Sequence, residues 1–330
     1  MYKLLNTKDI IKNSIQSNKV IYNFFKYIYT FTFHRERFLR TKHLGEENKD
    51  KTVFIVRPNS EDGIQGLLSL VSQALRWIDY SEKNNYKTIV DYKNFNTQYS
   101  NGVDNAWEYY FKQPSDITLE SAYKSNKVIF SGISPKIKLN ENTLTGEIFN
   151  DEKLKEESTN LVNKYLILNE KVSELIEKEN QILNVQNCIG VFIRGTDYVA
   201  LKPAGEYVQP TIEEVIEKVD EFLNKYNDNK IFLVTEDNNY YQILKKRYGD
   251  KLLTVLNDNL IENYSGGTYL SKSGSLQGSA YERGMTYLVK IVLLSRCRYL
   301  VSSIATGSII AYSMNNNKYK DYFIFNKGKY

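Results

Sequence analysis

The sequence is poor in the residues that most often announce a chemistry. Among 330 residues there are 2 cysteines and 2 histidines. Cys188 and Cys297 cannot build a disulfide scaffold, and with His34 and His43 they make a structural zinc module improbable. A Ser–His–Asp relay would have to use one of those two histidines, and both lie in a basic N-terminal segment. Only 5 prolines and 17 glycines occur, which excludes collagen-like and low-complexity chains. No apolar run reaches the roughly 18 residues a spanning helix needs. No charged start followed by an apolar run and a small-residue cleavage site marks a secretory signal. Gly-x-x-x-x-Gly-Lys-Ser/Thr and Gly-x-Gly-x-x-Gly are both absent, so neither a P-loop nor the usual dinucleotide fingerprint is expected. Asp-x-Asp is absent too, and no metal site is expected.

What remains is globular and aromatic. Apolar residues make up 42% and charged residues 25% of the chain, with 27 tyrosines and 15 phenylalanines. That composition argues against disorder, and the length suits one large domain or two of about 150 residues. The net charge is unevenly placed. Residues 1–42 hold 9 Lys/Arg against Asp9 and Glu36, so this segment carries +7 of a chain total of +5 and the remainder carries −2. A nucleic-acid partner is not expected of such a body. The segment also holds Tyr22, Phe24, Phe25, Tyr27, Tyr29, Phe31, Phe33 and Phe38. Ile11, Ile15, Tyr22, Phe25 and Tyr29 fit one helical face. Two readings stand: peripheral attachment to an anionic membrane face, or a helix packed on the body with its basic side solvated.

From residue 51 the pattern alternates strand and helix. Lys51–Arg57 reads as a buried strand, Asn59–Gly63 as a turn, and Gly63-Ile64-Gln65-Gly66 as a glycine loop opening a helix. Lys87–Asp91 reads as the next strand. Residues 92–150 give no clear pattern. Residues 151–180 read as one helix with Leu154, Leu161, Leu168 and Leu175 every seventh, amphipathic or, alternatively, a short coiled coil. Then come a strand at Cys188–Arg194, a helix from Thr211 to Tyr226 capped by Thr211, a strand at Lys230–Thr235 and a helix from Asn238 to Tyr248. A strand at Lys251–Leu256, a long loop, a helix at Tyr281–Arg296, a strand at Tyr299–Ser303 and a helix beginning near Ser308 complete the series. The expected fold class is α/β, with two doubly wound halves and a cleft between them. The divisions are 1–45, 46–180 (an N-terminal, acceptor-side half ending in a linker helix) and 181–330 (the half that binds the donor).

Ligands of doubly wound sheets sit beyond the carboxyl ends of the strands. Four features fall there. Arg194-Gly195-Thr196-Asp197 offers a guanidinium fork for a phosphate, or an Arg–Asp pair that pins a loop. Thr235-Glu236-Asp237 offers carboxylates for ribose hydroxyls, or an N-cap. Ser303, Thr306, Gly307 and Ser308 surround a helix N-terminus suited to an anion, or simply cap it. Gly63 and Gly66 make a second glycine turn. Together they point to a phosphate-bearing ligand whose charge is met by arginine and helix ends.

These blocks resemble the α-1,6-fucosyltransferases and their nodulation and O-fucosyltransferase relatives. CIGVFIRGTDYV (188–199) resembles the family's His-x-Arg-Arg-Thr-Asp motif. FLVTEDNNYYQILKKRYG (232–249) resembles its strand–Thr-Asp-Asp–helix block, and 282–314 its Ser-Ser…Ala-Tyr segment. GIQGLLSLVSQAL resembles its N-terminal glycine turn. The resemblance implies a GT-B-like fold with two facing Rossmann-like domains. It further implies an inverting, metal-independent glycosyltransferase with no cofactor beyond a nucleotide-sugar co-substrate, GDP-fucose favoured, and a glycan acceptor. Surface polysaccharide or glycoconjugate synthesis in the cytoplasm, at or near the inner membrane face, is the setting it suggests. Carried across, Arg194 grips the β-phosphate, Thr306 and Ser308 add donors, and Gly63 and Gly66 admit the diphosphate. Glu206 is the candidate general base and Asp197 the runner-up; Lys202 adds a positive charge. The chain departs from the family at Phe192 (a histidine there), Gly195 (a second arginine) and Lys290 (a guanine-reading aspartate). A lysine cannot accept from guanine N1 and N2, so a non-guanine donor, or a non-catalytic binder on this fold, stays open. Glu282, two turns earlier on the same helix, is a candidate substitute for the missing carboxylate. The sequence leaves the oligomeric state open.

Overall fold

The structure is a computed structural model describing residues 18–59, 65–134, 136–227, 230–256, 258–262, 264, 266–272, 275–276 and 278–330. The sequence places Ile11, Ile15 and Gly63 outside these. Helix α1 (Lys19–Phe33) starts at Asn18, whose side chain accepts from the Ile21 amide at 3.2 Å. A 3-10 turn, Arg35–Arg37, leads to β1 (Thr41–Lys42). There follow β2 (Val53–Val56), α2 (Leu67–Lys83), β3 (Lys87–Val90), α3 (Leu119–Ala122) and β4 (Val128–Phe130). The first sheet runs β1-β4-β2-β3, with β2, β3 and β4 parallel and β1 antiparallel on the edge. All four residues of β2 are buried, the apolar run expected of a strand covered on both faces.

The helix expected over 151–180 is two helices, α4 (Glu152–Tyr165) and α5 (Glu170–Leu183). Leu168, one of the heptad leucines, pairs with Phe111 in an isolated antiparallel bridge. The Asn169 amide reaches Tyr110 O at 3.0 Å while its side chain caps α5 at Val172. A local cap and a tertiary bridge thus outcompete continuation of the helix, and the heptad does not persist as a coiled-coil seam.

The second sheet holds β5 (Cys188–Phe192), β6 (Lys230–Val234), β7 (Leu252–Leu253), β8 (Tyr299–Ser303) and β9 (Asp321–Phe325). Its helices are α6 (Thr196–Leu201), α7 (Ile212–Tyr226), α8 (Asn238–Tyr248), α9 (Ala280–Ser295) and α10 (Thr306–Asn315). Thr211 caps α7 in a reciprocal box with Glu214, as its sequence implies. All five strands are parallel, in the order β7-β6-β5-β8-β9. Chain order therefore reverses between β5 and β8, which makes that gap the topological switch point. Helices α2, α4, α5, α9 and α10 share one continuous buried core with residues of both sheets, and α10 packs on α2 and α4. Burial of each large apolar side chain here is worth about 1.5–3 kcal/mol. The two halves are therefore fixed to each other through these helices.

Candidate functional site

Arg194 stands just past the end of β5, at the switch point. Its Nη2 lies 3.2 Å from Asp197 Oδ1 and its Nε 3.2 Å from Glu236 Oε1, and its guanidinium lies over the Tyr198 ring at 4.4 Å. Burial opposes its charge, but Glu236 and then Tyr198, Tyr287 and Asp197 hold the pKa above the ordinary arginine value. The cation is permanent. The backbone after it is tightly built. Glu236 Oε1 accepts from the Gly195 amide at 3.0 Å and from the Thr196 hydroxyl at 3.0 Å, and Asp237 Oδ2 accepts from the Thr196 amide at 3.2 Å. A Cβ on Gly195 would collide with the Asp237 carboxylate, so only glycine lets the two strand ends approach. Thr196 sits at φ 42°, costly for a β-branched residue, and these carboxylates hold it there. Asp197 also accepts from the Leu270 amide at 3.0 Å, fixing the long loop over the site.

This arrangement separates the acidic residues by task. Asp237 is the N-cap of α8, accepting from Asn239 and Tyr240 amides, so its capping role is realised. Glu236 and Asp197 position Arg194. Thr235 is buried and turns its carbonyl towards Lys290.

Across the switch point, α10 begins with no side-chain cap. The first amides of a helix have no intrahelical partner and carry its positive end. A Cβ on Gly307 would collide with the Tyr287 hydroxyl and press on Phe192, so glycine admits Tyr287 to this corner. Burial raises the Tyr287 pKa to about 12, against the pull of Arg194, so it is a neutral donor near both groups. Thr306 is half-buried at the helix start. Ser308 is fully buried, and its hydroxyl is engaged with Ser303 O at 2.7 Å, Ala305 O at 2.9 Å and the Ala305 amide at 3.1 Å. Ser303 is fully buried, with a hydroxyl that has no partner. Ser308 thus braces the turn, with the first backbone amides and the half-buried Thr306 at the helix start. Phe192, where the resembled family has histidine, is core.

Glu206 rides on the loop after α6. It is exposed at its surface yet crowded beneath: desolvation raises its carboxyl pKa, opposed by Arg194, Lys329 and the Tyr198 hydroxyl, with Asp197 adding to the rise. Residues 328–330 hold this loop. Val208 N bonds Gly328 O at 2.9 Å, Gly205 N bonds Tyr330 O at 3.2 Å, and Tyr330 N bonds Glu206 O at 3.0 Å. The neighbouring Tyr207 hydroxyl donates to Glu147 Oε1 at 3.2 Å, tying the loop to the first half. Lys202, left-handed at φ 48°, ends α6 and is exposed.

Lys290 does not face the open site. It is buried, and its Nζ donates to Thr235 O at 2.6 Å and pairs with Asp258 Oδ1 at 2.6 Å. Asp258 is thereby held at the end of β6, one strand over from Arg194. Its second oxygen, Oδ2, is buried and has no partner. Asp258 was not legible in the sequence as the partner of Lys290: it lies beyond the two-residue β7 in an irregular loop. Glu282 does not stand in for the missing carboxylate. It closes the capping box of α9 with Ser279, at 2.9 Å to the Ser279 amide.

In the first half, Gly66 is the N-cap of α2, and the first helical amide, Leu67 N, bonds Tyr99 OH at 2.9 Å. Gly63 lies outside the described residues. Tyr99 continues into a cavity of about 550 Å³ lined by Gln98, Asn101, Tyr109, Lys171 and Tyr281. Tyr109 and Tyr281 meet edge to face at 5.5 Å, and the Tyr110 hydroxyl donates to Tyr281 O at 3.1 Å. This cavity opens between the halves, and its lining residue Tyr281 lies nearly two turns along α9 from Tyr287.

No protein-family model and no curated protein matches the chain. Solved structures to which it is similar, each with a TM-score under 0.5, include three fucosyltransferases. NodZ alpha-1,6-fucosyltransferase of Bradyrhizobium, soaked with GDP-fucose, is 14% identical over 80% of this chain and 92% of its own, with a TM-score of 0.48. POFUT1 in complex with GDP is 10% identical over 83% and 98%, at 0.46. Arabidopsis thaliana FUT1 in complex with GDP is 11% identical over 86% and 72%, at 0.48.

Proposed function

We propose that the protein transfers a sugar, fucose favoured, from a nucleoside diphosphate donor to a hydroxyl of a glycan by direct, inverting displacement. The observation that carries this is the pairing of a permanently charged Arg194 with the uncapped start of α10 across the switch point of a parallel sheet. When the sugar–phosphate bond breaks, negative charge grows on the departing diphosphate. A preorganised guanidinium and helix end stabilise that charge where it appears, without a bound metal ion. Glu206 takes the proton of the attacking hydroxyl; a single displacement with one base inverts the anomeric centre. The setting we favour is the cytoplasmic synthesis of a surface glycan, where both thiols, buried and free, stay reduced.

Guanine is the base this site suits. Asp258 Oδ2 is an unfilled acceptor that Lys290 holds in place. Guanine N1–H and N2–H are adjacent donors for this carboxylate, whereas uracil offers N3–H alone, flanked by two carbonyl acceptors. Lys290 thus supplies a carboxylate indirectly. A thermal-shift series with GDP, UDP and CDP tests the donor reading. GDP at a hundredfold excess over its Kd should stabilise by about 2.7 kcal/mol, a rise of several degrees; UDP should do less, and Asp258→Asn should abolish the preference. No shift with any nucleotide would sink the proposal.

The acceptor we place in the cavity beside Tyr99, Tyr109 and Tyr281, whose ring faces and hydroxyls suit a sugar. Tyr109→Ala should raise the acceptor KM about tenfold, some 1.4 kcal/mol, with donor hydrolysis unchanged. Steady-state kinetics with varied acceptor reads it; an altered donor KM instead would move the acceptor elsewhere.

A further inference from the structure

Helix α1 leaves its apolar side chains bare to water. Its polar residues Asn23, Lys26 and Thr30 recur at three and four, so they form one stripe. Thr30 is the buried residue of the helix, at 5% exposure. The apolar residues point outward instead: Val20 is 78% exposed, Phe24 60%, Phe25 51%, Tyr29 57%, Phe31 52% and Phe33 69%. An amphipathic helix of a soluble domain does the reverse.

The foot of this helix is firmly held. Arg37 is buried and donates to Pro58 O at 2.7 Å and Asn59 O at 2.9 Å, just past β2, and Phe38 meets the Tyr27 ring at 5.4 Å. The aromatic face therefore projects from a fixed point at the rim of the first sheet. Positive charge surrounds it. Lys26, Arg35, Arg40 and Lys42 are on or near the helix, and Glu36 is the sole acidic residue between positions 10 and 45.

We propose that α1 is a membrane-surface anchor that inserts its aromatic face among anionic lipids. The choice of occupant follows from shape and charge. A protein groove covers an apolar stripe roughly 100° wide, but here, tyrosines apart, only Lys19, the Asn23–Lys26–Thr30 stripe and Thr32 are polar, so a groove would leave most of the face bare. A lipid phase covers all of it. The surrounding cations complement acidic headgroups, each worth roughly a few-fold in partition. At 15 residues the helix is about 22 Å long, too short for the hydrocarbon core, and no described helix is long and apolar enough to cross a membrane. It lies in the interface, where phenylalanine and tyrosine both fit.

Vesicle flotation of the full chain tests this. Phosphatidylcholine vesicles containing phosphatidylglycerol should carry the protein up, and pure phosphatidylcholine should carry about tenfold less or lower still. The double variant Phe24→Glu/Phe31→Glu should lose about a hundredfold or more of its partition while keeping its melting midpoint and circular dichroism. Arg35→Glu/Arg40→Glu should weaken only the anionic-vesicle binding. Failure to float with either vesicle overturns the proposal, as does flotation that survives the phenylalanine change. An oligomer that the phenylalanine change converts to monomer, with no vesicle binding, gives the face to a second copy and overturns it as well.

Discussion

Arg194→Lys should fold and bind the donor, yet transfer sugar about 10²–10³-fold more slowly, the effect of losing one preorganised charge donor at a developing oxyanion. Lysine keeps the charge and loses the fork that now spans Asp197 and Glu236. The loss should fall on kcat, since the departing charge exists only in the transition state. Arg194→Ala should be worse in a second respect. It strands two largely buried carboxylates, and breaking such a pair costs about 3–5 kcal/mol, so its melting midpoint should fall by several degrees. Comparing the two variants separates chemistry from stability. Transfer and donor hydrolysis that stay at the native level in Arg194→Lys would take the catalytic charge away from Arg194, whereas nucleotide binding with no transfer or hydrolysis by the native protein would make it a nucleotide-sugar binder.

The second half of the fold was legible because its signals were local. The strand at Tyr299–Ser303 and the helix Asn238–Tyr248 coincide with the sequence reading to the residue. Apolar strand runs, Thr211, Asp237 and Gly249 each carry their cap or stop chemistry on themselves. The first half was legible only up to β3. α3 and β4 are four and three residues long within 92–150, and β1 pairs with β4 across some 87 intervening positions. No period of 3.6 or 2 can emerge from elements that short. β9 was missed as well, because Asp321–Phe325 alternates weakly and is only half-buried at the sheet edge. The helix at 151–180 misled for another reason: its leucines keep a helical period straight through the break, while Asn169 and the Phe111 bridge decide the backbone.

The site divides along the same line. Arg194, Glu236 and Asp237 were readable because strand ends of a parallel sheet gather ligand groups whatever the rest does. What sequence could not assign was the partner of each. Glu236 orients Arg194 as well as standing at the cleft, Asp237 caps a helix, and Lys290 turns out to serve Asp258, 32 positions earlier. A lysine in place of a family carboxylate looked like a lost function; in three dimensions it is a salt bridge with a carboxylate oxygen to spare.

Glu206→Gln should lower kcat about 10²–10⁴-fold, the usual worth of a positioned base, while leaving nucleotide binding intact. Its pH behaviour distinguishes it from a merely structural change. Desolvation moves the carboxyl pKa of Glu206 upward, despite Arg194 and Lys329. Only the carboxylate accepts a proton, so activity should fall as pH drops through that raised value. The acid limb of kcat/KM should therefore lie above the ordinary glutamate range of about 4.3. In Glu206→Gln that limb should vanish. The same shift fixes the sign for stability. A carboxyl whose pKa is raised on folding favours the folded state while protonated, and that contribution is lost as pH rises through the folded value. At neutral pH the ionised Glu206 is thus a mild burden on the fold, reduced by its solvent exposure, and glutamine removes it. The variant should hold or gain melting temperature at pH 7 while losing turnover, and the gain should disappear in acid. An acid limb that persists unchanged would pass the base role to Asp197, whose oxygens now meet Arg194 and the Leu270 amide.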